Sequence, residues 1–247
     1  MNPIQASMGA ALARFLTTPV ETPAVLPLDI HALRRLLRPG DVILVEGNLR
    51  ISTVIKYLTQ STWSHAVLYA GTQTAAMAGL DCIEADVVEG VRWLSLEQLL
   101  VYHVRICRPI GLSDIEREKI VAYAAEKIGT QYDLRYVFDL ARYLVPLPVP
   151  RRWRRRAIAF LSADPSRAIC STLIANAFTS IGYPILPEAG PGAMQSEASR
   201  LSQLEFYHIH SNGLFVPRDF DLSPYFEVVK PEIPHPFDYH RLAWAGS

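Results

Sequence analysis

Short strand-like segments fill the first half of the chain, and a single strongly apolar helical run follows far downstream. The segments are Asp41–Val45, Ser64–Ala70, Asp81–Ala85, Val88–Leu94 and His103–Arg108. The run is Cys170-Ser171-Thr172-Leu173-Ile174-Ala175-Asn176-Ala177-Phe178. Strands and helices that mix without strict alternation predict an α+β fold. At 247 residues and 50% apolar, the chain can bury a substantial core as one domain with decorations.

Local signals fill in the remaining elements. Asp29 is placed to cap a short helix through Leu37, which Pro39-Gly40 stops. Ile51, Val54, Ile55 and Leu58 recur at helical spacing before Trp63. Ser95-x-x-Gln98 and Ser113-x-x-Glu116 have capping-box form. The second opens a helix with Ile120, Ala124 and Ile128 on one face and Gly129 as its stop. Leu134–Val145 is a further helical candidate, and Phe226–Val229 a last strand. No internal repeat is visible. Residues 1–38 read as an arm with a short helix, 39–230 as the main domain with a Pro/Arg-rich insertion at 146–161, and 231–247 as a tail.

The bulk numbers exclude several functions. Lys+Arg and Asp+Glu are both 24, so no global charge draws the chain to nucleic acid. Three widely spaced cysteines, Cys82, Cys107 and Cys170, do not form a disulfide framework and fit a reducing compartment. The apolar stretch Met8–Leu16 has its first cation, Arg14, inside it, which is not a signal-peptide layout. The expectation is a cytoplasmic protein, with export by an unrecognised route left open. There is no Cys-x-x-Cys, no His-Glu-x-x-His and no glycine-rich phosphate loop, and His208-Ile209-His210 offers only two ligands. No metal or cofactor is expected.

A cysteine at a helix start sits where peptide dipoles and free N–H groups favour negative charge. Pattern alone leaves two roles for Cys170. Leu173, Ile174 and Ala177 lie on its face, as for a packed thiol, whereas its position and the polar Ser171-Thr172 suit a nucleophile. His65 leads the segment Ser64–Ala70 and is a candidate base or a hydrogen-bonded structural group. Glu84 alternates with Ile83 and Ala85, so it points away from them. It could orient an imidazole or sit on a solvent-facing edge.

Together these segments resemble a known family. Gly40-Asp41-Val42-Ile43-Leu44, Trp63-Ser64-His65-Ala66-Val67-Leu68-Tyr69, Ile83-Glu84-Ala85 with Gly90-Val91, Gly129-x-x-Tyr132-Asp133 and Cys170-Ser171 occur in that order. The order resembles the circularly permuted papain-like cysteine hydrolases, the YiiX-like branch of the NlpC superfamily, which is related to the lecithin–retinol acyltransferase group. The resemblance implies an antiparallel sheet or small barrel packed against the helix that carries the cysteine. It also implies Cys170 as nucleophile, His65 as general base and acid, and Glu84 as the group orienting His65. Tyr132, Ser171, Ser64 and Trp63 are the candidates for lining the substrate or oxyanion site.

The expected reaction is cleavage of a peptide or isopeptide amide through a thioacyl enzyme. A lipid acyl hydrolase, acyltransferase or thioesterase is the alternative chemistry, and a non-catalytic binding module on the same scaffold is the alternative role. Substrates in view are a peptide, a cell-wall fragment or an acyl lipid. The cluster Arg151, Arg152, Trp153, Arg154, Arg155 and Arg156 precedes an apolar stretch and reads as a solvated face, then as a peripheral membrane contact, with nucleic-acid binding third because the overall charge is balanced.

Overall fold

In the computed structural model, residues 18–19, 29–71, 79–86, 89–131, 169–187 and 215–230 are described. Along the chain come α1 (Ile30–Leu36), β1 (Val42–Glu46), α2 (Arg50–Thr59), β2 (His65–Tyr69), β3 (Cys82–Asp86) and β4 (Gly90–Leu94). They are followed by a 3₁₀ turn (Leu96–Leu99), β5 (His103–Pro109), α3 (Asp114–Ala125), α4 (Ile169–Thr179), α5 (Pro217–Leu222) and β6 (Phe226–Val229). The strands form one sheet in the order β4-β3-β2-β1-β5-β6, and every neighbouring pair is antiparallel. This is an α+β fold, as the sequence predicts.

Both faces of the sheet are covered. That is why β1, at its centre, reads as a continuous apolar run: Val42, Ile43, Leu44 and Val45 are all buried. On one face Val42, Leu44, Ala66, Leu68, Ile83 and Ala85 pack with Ile120 and Ala124 of α3 and Leu173, Ile174 and Phe178 of α4. Phe178, Tyr183, Phe220 and Phe226 close that side as an aromatic group, with Phe178 and Phe226 edge to face at 5.1 Å. On the other face Ile43, Val45, Val67, Tyr69 and Cys82 pack with Leu33 of α1, Leu37 just after it, and Leu96 and Leu99 from the 3₁₀ turn. The alternation of side chains along β1, β2 and β3 sorts residues between these two layers.

Helix caps follow the sequence closely. The Asp29 side chain accepts from the His31 N–H at 2.9 Å. Ser113 and Glu116 form the reciprocal capping box at α3, and Gly129 follows it at φ +83°. The helix expected after Ser95 is only a single 3₁₀ turn. Its Ser95 hydroxyl accepts from Glu97 N–H at 3.3 Å rather than from Gln98. The reason lies in the burial of Leu96 and Leu99, which a three-residue turn places on one side, and in the Leu96 N–H, which donates to buried Asp81 at 2.7 Å.

The short helix of the expected arm is part of the core. Arg34 of α1 pairs with Asp81 at 3.1 Å and with Glu97 at 2.7 Å. The strand expected from Val88 begins at Gly90, where φ is +78° and a Cβ would stand 2.3 Å from the Thr130 carbonyl oxygen. Only glycine fits there, because Val91 N–H bonds to that carbonyl at 3.0 Å and Gly129 N–H returns to Val91 O at 2.8 Å. Thus the start of the Gly129-x-x-Tyr132 motif docks on β4. The candidate helix 134–145, the segment 146–161, His208-Ile209-His210 and the tail 231–247 lie outside the described residues.

Candidate active site

Three elements converge at the end of the sheet where β2 begins. Cys170 is the second residue of α4, so it sits in the first turn, among backbone N–H groups with no intrahelical acceptor. His65 is the first residue of β2, pairs with Val45 across the ladder and keeps a quarter of its side chain exposed (25%). Glu84 is the central residue of β3 and is buried. Its neighbours Ile83 and Ala85 belong to the α4-side layer, so alternation turns Glu84 to the opposite face, as the sequence indicates.

The structure brings the three groups into one chain of contacts. His65 Nε2 lies 2.8 Å from Glu84 Oε2. The Cys170 thiol acts on the same ring, through its charge and a side-chain hydrogen bond. Burial pushes the Cys170 thiol up, but the His65 charge and hydrogen bond outweigh it. Together with the Ala66 backbone N–H and the Ser171 hydroxyl, they hold the thiol below its ordinary value. Burial likewise pushes His65 down, yet Cys170 and Glu84 together raise it to about 10. Glu84 meets burial that raises it and is nevertheless held low by His65 and Arg92. The arrangement therefore favours a thiolate beside an imidazolium.

Arg92 was not singled out in the sequence. On β4 it stands directly opposite Glu84 in the ladder, and its Nε donates to Glu84 Oε1 at 2.8 Å. A second nitrogen of the same guanidinium reaches Oε1 at 2.7 Å, and a third reaches Glu89 at 2.7 Å. An arginine in an alternating strand looks like any solvent-facing cation. The one available signal was the hairpin itself, which would have required the correct register.

The remaining candidates are placed as follows. Ser171 is fully buried, with its Oγ 3.9 Å from the Cys170 Sγ. Ser64 is buried and its hydroxyl accepts from Gly47 N–H at 3.0 Å. Its contacts are to the backbone of the turn after β1, where a Cβ on Gly47 would stand 2.4 Å from the Ser52 hydroxyl. Trp63 donates its indole N–H to Asp221 at 3.0 Å, under the Arg105 guanidinium, whose centre lies 4.9 Å from the ring. It lines a polar cleft of about 530 Å³ with Glu46, Lys56, Arg105, Arg218 and Asp221. Cys170, His65 and Glu84 do not line that cleft. Tyr132 and Arg151, Arg152, Trp153, Arg154, Arg155 and Arg156 lie outside the described residues. Among the described residues, no cluster of three or more His, Cys, Asp or Glu could hold a metal ion. No described helix is long and apolar enough to cross a membrane.

Comparison with known proteins bears on this site. Residues 36–144 match the family described as permuted papain-like amidase enzyme, YaeF/YiiX, C92 family. The matched segment holds His65, Glu84 and Arg92, while Cys170 lies beyond it. Among solved structures, the chain is similar to one titled "Crystal structure of metalloprotein yiiX from Escherichia coli O157:H7, DUF1105". The TM-score is 0.48 at 17% identity, covering 80% of this chain and 98% of that one. No curated protein matches. The amidase activity in that description is the matched family's.

Proposed function

We propose that the protein, whose residues 36–144 match a permuted papain-like amidase family, cleaves a peptide or isopeptide amide through a thioacyl enzyme on Cys170. What supports this reading most directly is the Cys170–His65–Glu84 chain, with His65 Nε2 held 2.8 Å from Glu84. The Cys170 thiolate attacks the carbonyl carbon, and the electron pair of the C=O bond moves to oxygen. Backbone N–H groups in the first turn of α4 stabilise that oxyanion. The tetrahedral adduct collapses, the C–N bond breaks and the His65 imidazolium gives its proton to the departing amine. The now neutral His65 takes a proton from water, whose oxygen attacks the thioester and releases the acid. Glu84 keeps the imidazole in position and stays ionised throughout.

Incubating the protein with peptidoglycan fragments and with phospholipid vesicles, followed by intact-mass measurement, tests the reading. The expected result is new amine ends, together with a transient acyl mass on Cys170 that is absent from Cys170→Ala. Release of fatty acid without amide cleavage would replace the amide by a lipid ester. Absence of any adduct, with Cys170 alkylated no faster by iodoacetamide than Cys82 or Cys107, would leave only a binding module.

A further inference from the structure

We infer that Arg92 is a positioning residue that acts through Glu84: it holds one carboxylate oxygen so that the other stays aimed at His65. This deepens the cysteine-hydrolase reading and rests on it. Glu84 has two oxygens with separate partners. Oε2 meets His65 Nε2 at 2.8 Å, and Oε1 receives the Arg92 Nε at 2.8 Å and a terminal nitrogen at 2.7 Å. A carboxylate bound at only one oxygen can turn about its last bond, whereas one bound at both cannot turn without losing a charge-assisted hydrogen bond.

Arg92 is itself fixed from three sides. It is paired in register with Glu84 across the β3–β4 ladder. Its remaining guanidinium nitrogen is held by Glu89 at 2.7 Å. The residue before it, Val91, is hydrogen-bonded on both backbone groups to the Gly129–Thr130 turn. The chain Glu89–Arg92–Glu84–His65–Cys170 therefore runs from an exposed hairpin, where Glu89 is 61% exposed, to a thiol 5% exposed. Among the described residues, the charged and titratable groups around Glu84 are His65 from β2, Arg92 from β4, Cys82 on its own strand and Cys170 beyond His65. Asp86 and Glu89 act on Arg92 from the hairpin.

Without Arg92, Glu84 keeps His65 as its single close cation among the described residues and takes up a proton at higher pH. Once protonated it no longer holds the imidazolium, and the thiolate loses its support. The effect belongs on the acid side of the Cys170 reactivity profile.

Iodoacetamide alkylation of Cys170, followed by mass spectrometry from pH 4 to pH 9, tests this with no substrate required. In Arg92→Met the acid limb moves to higher pH, with Cys170 labelling about tenfold slower in mild acid, the size of one charge-assisted hydrogen bond. Labelling at pH 8 stays near that of the parent. Arg92→Lys, which keeps the charge and loses the fork, falls between them. In a Glu84→Gln background, Arg92→Met produces no further displacement of the limb. A purely structural arginine would lower the melting temperature and leave the limb in place, and that result overturns the proposal. An equal displacement with and without Glu84 also overturns it. If Glu84→Gln moves the limb and Arg92→Met does not, the cysteine-hydrolase reading stands and only the role of Arg92 falls.

Discussion

The interior of the sheet and the end where α4 meets β2 each hold buried sulfur, and the two regions treat it in opposite ways. Cys82 and Cys107 are fully buried in β3 and β5. Burial raises the Cys107 thiol to about 12, helped by Asp221, and raises Cys82 well above its ordinary value, helped by Asp81. Cys170 is nearly as buried, at 5%, yet its thiol is lowered. Burial pushes all three thiols upward. In the sheet the nearby carboxylates add to it, while at α4 an imidazolium and a backbone N–H reverse it.

The buried carboxylates repeat the lesson. Asp41 is fully buried at the entry to β1, where Arg108 holds it at 2.7 Å, Arg117 lies 3.7 Å away and the Arg38 N–H donates at 2.9 Å. Its cationic partners are two arginines, which do not titrate, so the cluster braces the fold. Glu84 differs in giving one oxygen to a histidine, a cation that can release its proton.

The contrast between the two regions is most easily broken by Cys170→Ala. Amide turnover should fall by a factor on the order of 10⁴ or more, with little change in melting temperature. A variant that retains turnover would place the nucleophile elsewhere. Next in size, Cys170 should react with iodoacetamide at neutral pH roughly 10³-fold faster than Cys82 or Cys107, which must await opening of the sheet. Peptide mapping after graded exposure checks this, and equal rates would erase the distinction.

Asp41→Asn should cost about 3 kcal/mol or more in urea unfolding, since it strands buried arginines. Cys170 labelling of the folded fraction should stay unchanged, which separates brace from site. The smallest effect is in pH. His65 has its proton bound more tightly when folded, so its contribution to stability is full below the unfolded value near 6.5. That contribution is lost as pH rises through about 10. Cys170, lowered by the same pairing, has given up a proton on folding, so the two contributions offset near neutrality. Melting temperature should fall only as pH approaches and passes about 10, and turnover should decline there as the proton for the leaving amine disappears. A flat melting profile there would deny the imidazolium.

Much of the fold is legible residue by residue. The caps at Asp29 and Ser113, the apolar run of β1 and the alternation around Glu84 all depend on short-range chemistry, and the structure follows them. Reading failed where a distant contact set the outcome. Ser95 looked like a helix cap, but Asp81 and two buried leucines kept the helix to one 3₁₀ turn. Asp41 looked like an ordinary strand entry, and its arginines come from β5 and α3. Arg92 was hidden for the same reason: its meaning depends on the ladder opposite, whose start at Gly90 is fixed by the close approach of Thr130.

Helix starts and strand alternation, local consequences of side-chain type and spacing, made Cys170, His65 and Glu84 candidates with two roles each. Only the resemblance in their order along the chain joined them as nucleophile, base and orienting group. Which nitrogen of His65 meets Glu84, which arginine meets the other oxygen, and why one buried thiol is acidic while two are not were decided only by tertiary structure. Charge and hydrogen bonding act over a few ångströms between side chains remote in sequence. Only the folded sheet, through its pairing and register, brings those side chains within range.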